Sequence, residues 1–279
     1  MNFAPPRTLL FIPASRADFV AKAHLRGADA IILDLEDGVA AHDKPTARSA
    51  LQEMQAGLAA QGLAVWVRIN PLGCGGETDL EVIARLPRST TVMLPKAETP
   101  DQVQSACDRL ASLGAAAPFV PLVETPAGVI RAADIAKANA DVWALAFGSE
   151  DFAASLGVAP TEAALAAPAQ WVVLAAAAAG LPAFGLPGSL ANFADLEPLE
   201  QLGGKAAAIG FSGALCIHPA QVALLNACFS PTARDIEWAD RVLNRPQFEG
   251  NGATALDGAM VDPPVIARAR RIMDRAQRR

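Results

Sequence analysis

The sequence predicts an α/β fold, a (β/α)8 TIM barrel with a short C-terminal helical extension. Three observations carry this. Eight short apolar runs recur between residues 8 and 218. Helix-patterned segments separate them. Charged residues gather at the ends of the runs rather than inside them. Alternating strand and helix calls for a parallel sheet, and eight units within about 220 residues favour a closed barrel over an open, doubly wound sheet. The chain of 279 residues is long enough for one such barrel.

The predicted strands follow in order. They are Thr8–Pro13, Ala30–Glu36, Ala64–Asn70, Thr91–Lys96, Phe119–Glu124 and Val142–Gly148, then two weaker runs, Pro182–Pro187 and Ala214–His218. Their nearly continuous apolar character suits strands buried on both faces. Helix starts lie between them. Ser15 with Asp18 reads as a capping box, and Thr99-Pro100 with Gln102 as a cap, a first-turn proline and a box partner. Thr125-Pro126 repeats the pattern, and Asn192 is the expected cap of a helix running toward Gly203. We take residues 1–229 as the barrel. Residues 230–279 hold a helical stretch at Arg234–Leu243, a connector with Gly250, Gly252 and Gly258, and a basic helix from Pro264. That extension is too small for a domain and reads as an arm or lid at an oligomer interface.

Composition excludes several classes. A hydrophobic fraction of 52% excludes intrinsic disorder. With 23 basic against 29 acidic residues and no sustained basic block, no nucleic-acid partner is expected. Cys74, Cys107, Cys216 and Cys228 form no C-x-x-C pair, which points to a reduced, cytoplasmic protein. His24, His42 and His218 lie far apart, so any metal site must use carboxylates, which prefer hard ions such as magnesium. The longest uncharged run, 163–194, contains Pro168, Pro182 and Pro187, which break it; no membrane span and no signal peptide are expected.

Active sites of such barrels sit at the C-terminal strand ends. Here those ends carry Asp34, Glu36 and Asp37, then Arg68 and Asn70, Lys96, Glu124, Glu150 and Asp151, and His218. With a period of two, Asp34 and Glu36 share one face of their strand, as do Arg68 and Asn70 of theirs. Converging carboxylates need cations. Arg68 and Lys96 supply two, and a divalent metal on Glu124 and Asp151 would supply the rest. Asp34 and Glu36 also fit a structural ion-pair network with Arg68 and Lys96, and His218 a hydrogen-bonded core position. Gly73, Gly75 and Gly76 lack the G-K-[ST] that a phosphate loop requires.

In order, the chain reads RTLLFIPA, GADAIILDLEDGV, KPTAR, VRINP, LPKAE, LVETPAGV, GSEDFAASLGV and GFSGALCIHPAQV. This set resembles the citrate lyase beta-subunit-like (HpcH/HpaI aldolase) family of acyl-thioester lyases over nearly the whole chain. The resemblance implies Claisen-type cleavage of a citryl, malyl or citramalyl thioester into an acetyl thioester and a small 2-oxo acid, with Mg2+. It implies Glu124 and Asp151 as metal ligands and Arg68 as catalytic and substrate-binding; Glu36, Asp37, Lys96 and Glu124, by their place at the strand ends, are further substrate-binding candidates. Asp257-Gly258-Ala259-Met260-Val261-Asp262 matches a D-G-x-M-x-D motif, which makes Asp262 the candidate acid/base, acting in a neighbouring subunit of a homotrimer or a multiple of it. Ala214 and Ala259 stand where members often carry lysine, and the thioester partner, CoA or an acyl carrier, stays open. A subunit of a carrier-dependent citrate lyase complex, a CoA-independent 2-oxo acid aldolase and a non-catalytic thioester-binding barrel are the alternative readings.

Overall fold

The computed structural model describes residues 5–244, 254–256 and 259–277. It falls into two compact units, Pro5–Asn226 and the segment from Ala227 onward, each described by itself.

The first unit is a (β/α)8 barrel. Its strands are β1 (Thr8–Pro13), β2 (Ala30–Asp34), β3 (Ala64–Arg68), β4 (Thr91–Leu94), β5 (Phe119–Val123), β6 (Leu145–Phe147), β7 (Ala183–Phe184) and β8 (Ala214–Cys216). They pair in parallel in the order β7-β6-β5-β4-β3-β2-β1-β8. A bridge between Phe184 and Gly213 joins the two ends of that order. Gly185 N–H donates to the Gly213 carbonyl at 3.0 Å and Ser212 N–H to the Ala183 carbonyl at 2.8 Å, so the ring closes.

Register fixes which side chains point inward. Phe11 pairs with Ile32, Ile32 with Trp66, and Trp66 with Thr91. Trp66 meets Phe184 edge-on at 5.5 Å. Those residues belong to β3 and β7, on opposite sides of the barrel, so this layer fills the interior. Two residues further on, the next inward layer holds Pro13, Asp34, Arg68 and Met93. The hydrophobic interior therefore gives way to charge in a single step of the pleat, at the C-terminal mouth.

Most predicted strands extend past the observed ones, by one to three residues at the mouth end. There the backbone turns away to serve the polar groups. Thr99 caps the helix Pro100–Ser112 in a full capping box with Gln102, and Thr125 Oγ1 accepts from Gly128 N–H at 3.2 Å ahead of Pro126–Ile130. Two expected caps differ. Ser15 caps nothing: the short helix Ala17–Val20 begins after Arg16 with no side-chain cap, and Asp18 pairs with Arg16 instead. Asn192 accepts from the amides of Ala194 and Asp195, forming a turn ahead of the helix Glu197–Ile209, whose cap position is Leu196. The helix Glu162–Ala178 also runs through Pro168. Among the described residues no helix is long and apolar enough to cross a membrane.

In the second unit the helices Ala233–Leu243 and Pro263–Ala276 bury Ala239, Val242 and Ala269 together with Val261. The Arg268 guanidinium lies 4.8 Å over the Trp238 ring. An antiparallel pair, β9 (Thr254–Leu256) and β10 (Ala259–Val261), was not expected from the sequence. Asp262 follows it and caps the last helix, its Oδ1 accepting from Val265 N–H at 3.1 Å. Gly250, Gly252, Asp257 and Gly258 lie outside the described residues.

Candidate active site

Asp34 and Arg68 are direct partners in the β2–β3 register and share the inward face. Parallel pairing therefore brings them together without any loop having to order. Arg68 Nε and Nη2 each donate to Asp34 at 2.7 Å, a bidentate fork. Asp34 also accepts from the amides of Glu36 at 3.0 Å and Gly38 at 2.8 Å. Gly38 has no side chain for a reason: a Cβ there would lie 2.5 Å from Asp34 Oδ2. The Phe11 ring sits beneath the Arg68 guanidinium at 4.8 Å.

Glu36 continues the same face and is 2% exposed. Its Oε1 takes the Lys96 Nζ at 3.0 Å. Its Oε2 lies 3.0 Å from Arg68 Nη1, but out of alignment for a hydrogen bond. Burial raises the Glu36 pKa, against the pull of Arg68 and Lys96. For Arg68, burial opposes the charge, yet the hydrogen bonds and charge of Asp34, with Glu36 and Glu124, outweigh it and hold the pKa above the ordinary arginine value. Lys96 is likewise raised, first by its hydrogen bond to Glu36. The cluster thus holds two cations and two carboxylates in mutual neutralisation.

Glu124 follows β5, two positions past the inward Leu122, and is also 2% exposed. Its Oε1 accepts the backbone N–H of Lys96 at 2.8 Å. Gly148, at the exit of β6, leaves room for it: a Cβ there would stand 2.6 Å from Glu124 Oε2. Burial pushes the Glu124 pKa up to about 8, and the charges of Asp151 and Glu36 add to the rise. Asp151 lies in the first turn of the helix Ser149–Leu156 directly after β6. Its neighbour Glu150 turns elsewhere, accepting from Ser189 Oγ at 2.5 Å and Leu190 N–H at 3.0 Å.

The remaining predicted positions divide. Asp37 is exposed beside the cluster. Asn70 does not share the work of Arg68. Its amide nitrogen donates to the Leu35 carbonyl at 3.0 Å and to Asp79 at 2.7 Å, while Lys44 donates to its Oδ1. Asp79, fully buried, also takes Arg48 Nε at 2.5 Å and the Asn70 backbone N–H at 2.7 Å. This second network anchors the glycine loop 73–76, and the sequence reading missed it. The signal was available: an aspartate three residues past a Gly-Gly start, on an otherwise apolar helix face, needs a buried partner. His218 is hydrogen-bonded as expected, its Nδ1 accepting from Ala220 N–H, but it is only half-buried and stacks on Phe193 with ring centroids 4.4 Å apart. Gln221, fully buried, accepts from the Ile217 and His218 amides and donates to the Leu190 carbonyl at 2.8 Å.

Among the described residues no group of three or more His, Cys, Asp and Glu side chains is placed to hold a metal. Glu124 and Asp151 nonetheless fit magnesium. Both offer hard oxygens, Glu124 sits in a site that penalises its charge unless a cation arrives, and magnesium commonly uses one or two carboxylates with waters or substrate completing its shell. The buried thiols Cys107 and Cys216, pushed up to about 12, are unsuited to metal binding or nucleophilic work.

The chain is thus a closed (β/α)8 barrel enzyme whose mouth joins a clamped arginine to a buried glutamate that feels the charge of Asp151. The chain belongs to the HpcH/HpaI aldolase/citrate lyase family, which matches residues 7–219. It is 38% identical over 275 residues to a citrate lyase subunit beta-like protein of Mycobacterium tuberculosis, covering 96% of this chain and 94% of that one. It is 31% identical over 291 residues to the human mitochondrial citramalyl-CoA lyase, covering 96% and 84%. The solved structure of the CitE protein of Mycobacterium tuberculosis with magnesium, acetoacetate and coenzyme A superposes at a TM-score of 0.79, with 34% identity, over 99% of this chain and 100% of that one.

Proposed function

We propose that this chain is a magnesium-dependent carbon–carbon lyase that cleaves, or in reverse forms, a β-hydroxyacyl-CoA of the citryl, malyl or citramalyl type. The observation that carries this is the presence, within one barrel mouth, of a fixed guanidinium and of the buried carboxylate of Glu124, whose charge is disfavoured by burial and by the nearby charge of Asp151. The names of its relatives support it, since one is a citramalyl-CoA lyase and another binds magnesium, acetoacetate and coenzyme A.

Glu124 and Asp151 would hold the ion. Bound there, Mg2+ supplies a Lewis acid for the oxygen of the small 2-oxo acid. In the cleavage direction the substrate hydroxyl gives up its proton and becomes the 2-oxo group. The electrons of the breaking C–C bond pass to the acetyl thioester as an enolate, and a proton returned to its carbon completes the product. Asp34 occupies the Nε/Nη2 edge of the Arg68 guanidinium and Glu36 Oε2 lies 3.0 Å from Nη1, so an anionic oxygen would meet the N–H groups of Nη1 and Nη2 that these two carboxylates leave over. A cation fixed there before the reaction begins lowers the cost of the developing charge without reorganisation. Glu36, Asp37 and Lys96 surround that position. Asp262 is the acid/base. It reaches a neighbouring subunit's mouth from the segment past the barrel, in a homotrimer or a multiple of three. Residues 230–279 form the arm, and the protein works in the cytoplasm.

A lyase assay on citryl-, malyl- and citramalyl-CoA, with and without magnesium, tests the reading. Turnover that needs magnesium and no added protein supports it; turnover appearing only with a carrier-protein thioester replaces it by the carrier-dependent alternative. Mixing inactive Asp262→Asn and Arg68→Ala proteins should restore activity, since mixed oligomers contain mouths with both groups intact. Exchange of subunits without any recovery removes Asp262 from the trans role.

A further inference from the structure

Lys96 stands where the two halves of the mouth meet, and both its polar groups are engaged. Its backbone N–H donates to Glu124 Oε1 at 2.8 Å and its Nζ to Glu36 Oε1 at 3.0 Å. Its φ is 51°, and among the described residues it is the non-glycine with positive φ. That conformation disfavours any residue with a Cβ. Glycine would present the same N–H to Glu124 without that cost. A lysine in that conformation, with its Nζ on Glu36, points to work done by the side chain.

The work follows from charge. Asp34 is satisfied by two guanidinium nitrogens and two amides. Glu36 is not: beyond Lys96, the cation near it is Arg68, whose Nη1 lies 3.0 Å from an Oε2 that makes no aligned hydrogen bond. Nη1 also belongs to the edge of Arg68 left for substrate. Without Lys96, a nearly fully buried carboxylate would have Arg68 as its remaining cation and would draw Nη1 into a full hydrogen bond. The side chain of Lys96, 45% exposed, reaches Glu36 from the solvent side and is not itself enclosed as a binding group.

We propose that Lys96 is a positioning residue, whose ammonium takes Glu36 Oε1 so that the 3.0 Å contact of Oε2 with Arg68 Nη1 does not close into a hydrogen bond and the N–H groups of Nη1 and Nη2 remain available to the anionic oxygen of the substrate. This rests on the lyase reading for the identity of that oxygen, but not for the arrangement of the cluster.

The test is a charge-balance cycle in the full-length protein, using Lys96→Met, Glu36→Gln and the double variant. Methionine keeps the chain length and the backbone cost of lysine and removes the charge. Two quantities are measured: pyruvate binding by calorimetry in the presence of magnesium, and KM and kcat on citramalyl-CoA. Lys96→Met should weaken pyruvate about tenfold, raise KM, and leave magnesium affinity no weaker than wild type, because the N–H to Glu124 remains. Adding Glu36→Gln should bring pyruvate affinity back to within about threefold of wild type, and Lys96→Arg should keep it. If Lys96→Met folds poorly, Lys96→Gln makes the same charge deletion. A double variant no better than Lys96→Met overturns the proposal, since Lys96 would then contact substrate itself. Wild-type pyruvate affinity in Lys96→Met also overturns it, as does lost magnesium affinity, which would mark a general collapse of the mouth. Pyruvate binding that follows the cycle in an enzyme with no lyase turnover would remove the lyase reading and keep the positioning role.

Discussion

The two halves of the barrel mouth solve opposite electrostatic problems. Around Arg68, two carboxylates and two cations are packed within 3.0 Å contacts, and both cations gain proton affinity from the arrangement. Around Glu124, a buried carboxylate faces a second carboxylate and carries a pKa raised to about 8. The first half is finished as the chain folds. The second keeps a proton on Glu124 to a higher pH than an ordinary glutamate, and under the proposed function a magnesium ion would take that proton's place. The contrast lies in how the charges are placed: Asp34 and Arg68 are paired by register and joined by Glu36 and Lys96, so that opposite signs meet, whereas Glu124 and Asp151 come from the exits of neighbouring strands and carry the same sign.

Breaking the open half should have the largest effect. Glu124→Gln should lower turnover by about 10³-fold. It should also raise the melting temperature of the metal-free protein, because it removes a buried charge while its Oε1 still accepts the Lys96 N–H. Thermal melts with chelator beside turnover with magnesium check both signs together. A metal-free melting temperature well below wild type would mean that Glu124 serves the fold as a charge.

Breaking the finished half is the next step down. Lysine keeps the charge of Arg68 but cannot repeat the fork onto Asp34. Arg68→Lys should cost about 10²-fold in kcat, with magnesium affinity nearly unchanged. A loss confined to KM would assign Arg68 to ground-state binding alone.

The comparison is sharpened most gently by pH. The folded pKa of Glu124 is raised above that of the unfolded chain, so its contribution to stability is fully present below pH 4.5 and is lost as the pH rises toward about 8. Magnesium held by Glu124, as proposed, would replace the proton. The rise in melting temperature on adding magnesium should therefore be larger at pH 8 than at pH 6, and magnesium affinity should grow over the same interval. Equal shifts at the two pH values would mean that Glu124 is already ionised in the metal-free protein.

Much of this was legible in the residues. The eight apolar runs mark the eight strands because strands buried on both faces tolerate little else. Asp34, Glu36 and Arg68 were readable as one inward face because the side-chain period of a strand is two. What failed did so for physical reasons. Past a strand end the period no longer decides: two residues beyond β2, Glu36 keeps to the inward face, while two residues beyond β3, Asn70 turns away to Leu35 and Asp79. Capping depends on where the first turn begins, which Ser15 and Asn192 did not reveal. The left-handed backbone of Lys96, and with it the grip on Glu124, has no sequence signature at a lysine. Nor does a sequence give the raised proton affinity of Glu124, which arises from burial and from charges on other strands.

The seam of the barrel has a dynamic consequence. β7 is two residues long, and its closure onto β8 rests on two backbone hydrogen bonds and on Gln221, a side chain that stitches the β8 exit to Leu190. In terms of hydrogen exchange, this is where the wall should open first while the β1–β5 arc stays shut. The Gly185 and Ser212 amides should exchange through a partial opening rather than global unfolding. Gln221→Leu should speed their exchange and leave that of Ile32 and Val67 unchanged. Equal acceleration at all four amides would make the barrel a single cooperative unit, with no weaker seam through which the loop after β7 can breathe.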